Sequence, residues 1–264
     1  MQAVAHSTPW WLLIPVWFGF FAGLSLASRA AVRRIPAADY QSEVTRYAGM
    51  TLGPIGAAFA FLIGFSATMA WSAVNAGQEA VDSQATSAQQ LVWATKAISD
   101  KAGAAEIVTN LDRYLSVEVD QDPSFLAAGR TAELPSAQSY DTLQHSIHNV
   151  AYRSGTTGPE ASAITSAAAA LTAAQAKVAA VAQRSLPPLM IGLLLTAGAL
   201  LTIAMGAAAA GVIRPYLMYG WALVSAIALT LIFTLDGPFR GAVAVNMGPL
   251  AQLSDTLVSE PFDK

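Results

Sequence analysis

The chain has 264 residues, 54% hydrophobic and only 12% charged, with a formal net charge of -3 and no cysteine; its mean hydropathy is +0.46. The lack of cysteine excludes disulfides and thiolate chemistry, and the mildly acidic balance excludes the basic footprint of a nucleic-acid binder. So apolar a composition points to an integral membrane protein.

Four runs of about 20 residues, 10–28, 52–71, 189–212 and 216–235, contain no Lys, Arg, Asp or Glu. At 1.5 Å rise per residue each is long enough to cross a ~30 Å hydrocarbon core. They predict an all-α membrane protein with four transmembrane helices. One helix pair lies within residues 1–71 and another within 186–236. A helical-bundle insert, 72–185, separates them, and an interfacial segment, 237–264, follows.

Trp10, Trp11 and Trp17 cluster at the first run, rings suited to a membrane interface. No Lys or Arg precedes it, whereas Arg29, Arg33 and Arg34 follow it. That order is the reverse of a signal peptide and reads as an uncleaved helix with its N-terminus outside. The connection 29–51 carries four arginines against Asp39 and Glu43, and the connection between the last two runs carries Arg214. By the positive-inside rule both lie on the cytoplasmic face of the plasma membrane, which places the insert outside.

In the second run Phe61, Phe65 and Met69 recur every four residues on one helical face, with Phe59 and Ile63 on another. Several copies around an axis would turn such a stripe into a hydrophobic constriction that gates by dewetting. Lipid contact or packing within one subunit uses the same spacing. Trp71 closes this run.

The insert carries seven basic and eleven acidic residues, an ordinary soluble surface. Val74, Val81, Ala85, Ala88, Val92, Thr95 and Ile98 predict a helix continuing out of the second run. Further helices are predicted over 104–117, through Ile107, Val108, Leu111 and Leu115, and over 140–152, through Leu143, Ile147 and Val150. The alanine-rich stretch 160–184 predicts a fourth. Residues 120–136, with Pro123, Gly129 and Pro135, read as an irregular loop, and 154–159 as a second loop. The simplest assembly is an up-and-down four-helix bundle. Asp141, His145 and His148 share a helix face with zinc-ligand spacing but lack a matched fourth ligand, and a solvated face explains them more simply. No metal and no cofactor is assigned. No nucleophile elbow, phosphate loop, dinucleotide fingerprint or zinc-protease helix is present, so no enzyme is expected.

The third run opens with Pro187 and Pro188, tolerated in a first helical turn; Tyr216, Tyr219 and Trp221 open the fourth. The fourth run ends in Leu-Asp-Gly-Pro-Phe-Arg-Gly, residues 235–241. Asp236, four positions before Arg240, suits either a structural turn or contact with an ion. Residues 242–257 read as a short amphipathic element, on the membrane surface or against the bundle.

Residues 231–250, with a Leu-Asp-x-Pro-Phe-x-Gly core at Asp236, Pro238, Phe239 and Gly241 and a following Val-x-x-x-Pro-Leu, resemble the signature of bacterial bestrophin-like membrane proteins of unknown function. The order of parts is similar too: Gly64 to Ser66, an Ala-Val pair beside Glu79, a helical insert, then Arg184 and Leu-Pro before the third run. The resemblance implies a four-span helical protein and, by fold-level analogy, a homo-oligomeric anion channel. It also implies pore-lining positions at Phe61, Phe65 and Met69, matching the neck of bestrophins, and a cytosolic helical part, opposite to the arginine count. The alternative is a non-transporting scaffold or accessory subunit that binds another envelope protein through its insert, a reading favoured by the lack of ionisable residues inside the spans. The expected partners are the lipid bilayer, further copies of the chain and, in the alternative, that envelope protein.

Overall fold

The computed structural model describes residues 10–153, 155–240 and 243–259, without the side chains of Trp10 and Ser259. Among the described residues every regular element is helical: α1 (Trp10–Arg33), α2 (Ala38–Lys96), α3 (Lys101–Ala127), α4 (Ala137–Ala151), α5 (Gly158–Ala182), α6 (Pro188–Ala208), α7 (Tyr216–Leu235) and α8 (Gly248–Ser259). A 3-10 turn at Ala209–Gly211 ends α6. Five helices, α1, α2, α5, α6 with its turn, and α7, are long and apolar enough to cross a membrane.

The chain forms two compact units, 1–72 with 185–236, and 73–184 with 237–264. In the first, α1 is held against α6 and α7. The α1–α6 approach is very close, because a Cβ on Gly206 would lie 2.2 Å from the carbonyl oxygen of Ser25. Small residues at such crossings let backbones meet and let hydroxyls bond across them: Ser28 Oγ donates to the Ile203 carbonyl at 2.7 Å and Ser25 Oγ to that of Thr202 at 3.3 Å. Trp17 stacks on Phe233 of α7 at 5.5 Å. Phe21, Phe59, Leu194, Leu201, Ala222 and Leu229 fill the centre.

Arginines near the end of α1 close the end of α6. Arg29 donates to the Val212 carbonyl at 2.5 Å, and Arg33 to those of Ala210 at 2.8 Å and Val212 at 3.3 Å. These carbonyls lack intrahelical donors, and a cation is the favoured group beside a helix C-terminus.

The second unit packs the later part of α2 with α3, α4, α5 and α8 around Val81, Leu91, Ile107, Leu111, Leu143, Ile164 and Leu171. Asp100 caps α3 by accepting from Gly103 N at 3.0 Å. A capping box of Thr157 and Glu160 starts α5. The loop expected over 120–136 is corrected: α3 runs on to Ala127, through Pro123. Tertiary contacts hold that extension, among them Asp122 accepting from Ser136 N and Oγ at 3.1 and 2.5 Å and Leu126 buried in the core. The first connection is shorter than the apolar run suggested, since α1 extends to Arg33 and α2 begins at Ala38. Of the two places open to the segment after the fourth run, α8 takes the bundle, with Leu250 fully buried and Ser254 Oγ donating to Asp112 at 2.6 Å.

Candidate functional site

The face of α2 between residues 52 and 72 is divided by its packing. Phe59 is buried to 1% exposure, its ring against Gly198 and Trp221. Phe61 and Phe65, by contrast, are 69% and 48% exposed and stack on each other, centroids 6.2 Å apart at 11°. Met69 is half-buried against the first unit's core. The structure thus brings Phe61 and Phe65 together on one outward face and turns Met69 partly inward. Gly53 and Gly64 on α2 meet nothing within 4 Å of a built Cβ. Thr68 Oγ1 donates back to the Gly64 carbonyl at 2.9 Å, whereas the buried Ser66 Oγ has no partner.

The motif residues after α7 divide between the two units. In the first, Asp236 accepts from the backbone N–H of Leu186 at 2.8 Å, which ties the end of the fourth apolar helix to the start of the third. In the second, Gly237 takes a left-handed φ of 113° that favours glycine. Phe239 is buried in the helical core. Pro238 accepts from Val245 N at 2.9 Å, and both residues lie against Gly77 of α2, where a Cβ would meet Val245 at 2.6 Å. Gln78 then grips the backbone of Asn246, accepting from its N–H at 3.0 Å and donating to its carbonyl at 3.4 Å. Arg240 Nε donates to the Ala127 carbonyl and caps α3. Gly241 lies outside the described residues. Asp236 and Arg240, four apart in sequence, therefore go to different partners, and each closes a helix end.

Among the described residues no group of three His, Cys, Asp or Glu is arranged to hold a metal ion. His145 Nδ1 sits 2.7 Å from the Asp141 carbonyl, and His148 packs on Tyr152.

The sequence matches the bestrophin-like domain over residues 19–250. The chain belongs to that family. Together with its long apolar helices, membership makes this bestrophin-like chain a multi-pass membrane protein. Its fold resembles crystal structures of a bacterial bestrophin homolog from Klebsiella pneumoniae carrying single substitutions. One is 12% identical with a TM-score of 0.69, covering 93% of this chain and 98% of that one. Two more, each 13% identical, have TM-scores of 0.68 and 0.69 and cover 92% and 93% of this chain, and 98% and 97% of theirs. At such identities the likeness carries the fold. No curated protein matches the sequence.

One polar group escaped the sequence reading. Glu118 and Asp122, with Gln84 of α2, lie inside the second unit's core at 2%, 1% and 0% exposure. The signal was available, since Glu118 follows Leu111 and Asp122 follows Leu115 by seven residues on the buried stripe of α3.

Proposed function

We propose that this bestrophin-like protein is a homo-oligomeric channel of the plasma membrane, with the central part of α2 lining a shared axis and Phe61, Phe65 and Met69 narrowing it. The observation that carries the reading is the pair of stacked, outward-facing rings of Phe61 and Phe65 on a helix whose neighbouring Phe59 is wholly buried. A constriction of apolar rings blocks ions by dewetting and needs no intramembrane charge, consistent with spans that have none. Four spans are proposed, formed by α1, the apolar middle of α2, α6 and α7. The fifth apolar helix, α5, owes its hydropathy to alanine, 12 of its 25 residues, and its large side chains Ile164, Leu171 and Val178 are spent on the second unit's core. Family membership and the bestrophin-like fold support a channel over other membrane functions, and an anion is the proposed permeant ion. Phe65→Ala removes a ring from the proposed constriction, so single-channel conductance in a reconstituted bilayer should change. Identical currents for both proteins would remove Phe65 from the constriction, and no current from either would remove the channel reading.

The scaffold reading has one observation of its own: Trp93 of α2 is 61% exposed in the insert, and exposed aromatic residues are common anchors for protein partners. Co-purification of a stoichiometric envelope protein that Trp93→Ala releases would favour it.

A further inference from the structure

The apolar core of the second unit encloses Gln84 of α2, Tyr114, Glu118 and Asp122 of α3, and Ser136, all more than nine-tenths buried. Gln84 Nε2 lies 2.8 and 3.0 Å from the two oxygens of Glu118 and 2.7 Å from Tyr114 Oη, while Gln84 Oε1 has no partner. Asp122 is occupied by Ser136 N and Oγ.

Nothing nearby neutralises a negative charge on Glu118. Among the described residues no Lys, Arg or His is buried. The titratable groups around it are Asp122, of like sign, Tyr114, and Tyr140 of α4, whose ring is 5.1 Å from that of Tyr114 and whose hydroxyl donates to Thr172 at 2.7 Å. On the other packed elements, Glu79, Asp82 and Lys96 of α2, Asp141, His145 and His148 of α4, Lys177 of α5 and Asp255 of α8 are exposed, and half-buried Glu160 of α5 accepts from Ser99 and Thr157. Half-buried Asp112 is bonded to Ser254.

The orphaned oxygen beside the carboxyl decides which form fits. A carboxylate only accepts, so it leaves Gln84 Oε1 unpaired, a costly state for a buried acceptor. A neutral acid donates its O–H to Gln84 Oε1 and accepts from Gln84 Nε2, closing a two-bond ring after a rotation of the amide. We propose that Glu118 is a proton-binding site that couples the packing of α2 on α3 to pH: its neutral form closes the pair with Gln84, and loss of the proton opens it. Burial supplies the proton affinity, pushing the carboxyl up to about 7, against the Tyr114 and Gln84 hydrogen bonds that pull it down. Neutral pH therefore lies at the switching point. The proton site stands independently of the channel reading.

The test is thermal unfolding of the detergent-purified full chain from about pH 5 to about pH 8, beside Glu118→Gln, whose amide pairs with Gln84 without a titratable proton. The wild-type Tm should fall by roughly 5–10 °C across this range, and most of the fall should vanish in the variant. Equal falls in both overturn the proposal. Should Glu118→Gln not fold, infrared spectra of the wild type and of Asp122→Asn decide instead: both should show a protonated-carboxyl band that disappears near neutral pH, and its absence at about pH 6 overturns the site. A Tm slope that depends on Glu118 in a protein that passes no current at any pH would uphold the proton site and reject the channel.

Discussion

A methyl group at position 206 has nowhere to go. It would sit 2.2 Å from the backbone oxygen of Ser25, an obstacle that cannot rotate away as a side chain can. Gly206→Ala should therefore pry α1 from α6 and cost about 3 kcal/mol, the upper range for overpacking. Gly220→Ala, where a Cβ meets nothing within 4 Å, is the control that should leave detergent stability unchanged. Asp236 is the second residue with a single structural duty. Asp236→Ala leaves the Leu186 N–H without its acceptor and should lower stability by about 1–3 kcal/mol, while Asp236→Asn, which keeps the acceptor, should lose less. Glu118 sets a pH dependence of definite sign. Its folded value is raised from 4.5 to about 7, so its contribution is complete below ~4.5, where folded and unfolded chains both hold the proton. It is lost as pH rises toward ~7, by about 3 kcal/mol at 1.36 kcal/mol per pH unit.

At the scale of the elements, the opposite sign belongs to the start of α5. Ser99 Oγ, Thr157 N and Oγ, and Ser99 N all donate to Glu160 and hold its carboxyl down at about 2. That stability is present above ~4.5 and is lost as pH falls toward ~2. Asp100 is likewise lowered, chiefly by the Gly103 N–H and also by Arg153. The insert should therefore be most stable near pH ~5, which a Tm profile over pH will show, and Thr157→Ala should lower that Tm by removing a cap worth about 1 kcal/mol. These elements also show what the sequence could reveal. The apolar runs and the stripe Ile107, Leu111, Leu115 announce helices because burial imposes the 3.6-residue period along the chain itself. The end of α3 does not announce itself, because Pro123 removes an N–H and locally argues for a stop. What carries the helix on to Ala127 is remote: Ser136 on Asp122, and Arg240, 113 residues away, on the last carbonyl. The stacked pair at the candidate site was half legible. Spacing put Phe61, Phe65 and Met69 on one face, but only tertiary packing turns Met69 partly inward and leaves the two rings out.

At the scale of the whole molecule, four spans and the charge count propose an orientation with residues 29–51 and Arg214 in the cytoplasm and the insert outside. The chain has no cysteine of its own, so single cysteines report sidedness directly. Trp93→Cys should react with a membrane-impermeant thiol reagent on intact cells, and Ile213→Cys, at an 89% exposed position beside Arg214, should not. The reverse pattern would mean that Arg29 and Arg33 are placed to cap α6, as their bonds to Ala210 and Val212 already explain, and not to set topology. Every pore argument, however, needs several copies around one axis. The most direct measurement is the mass of the detergent-purified protein, by light scattering with the detergent subtracted. A discrete assembly of about four or more copies is the result expected if the outward face of α2 lines a closed ring. A monomer, or a one-to-one complex with a different protein, would contradict it, because Phe61 and Phe65 would then have no axis to surround.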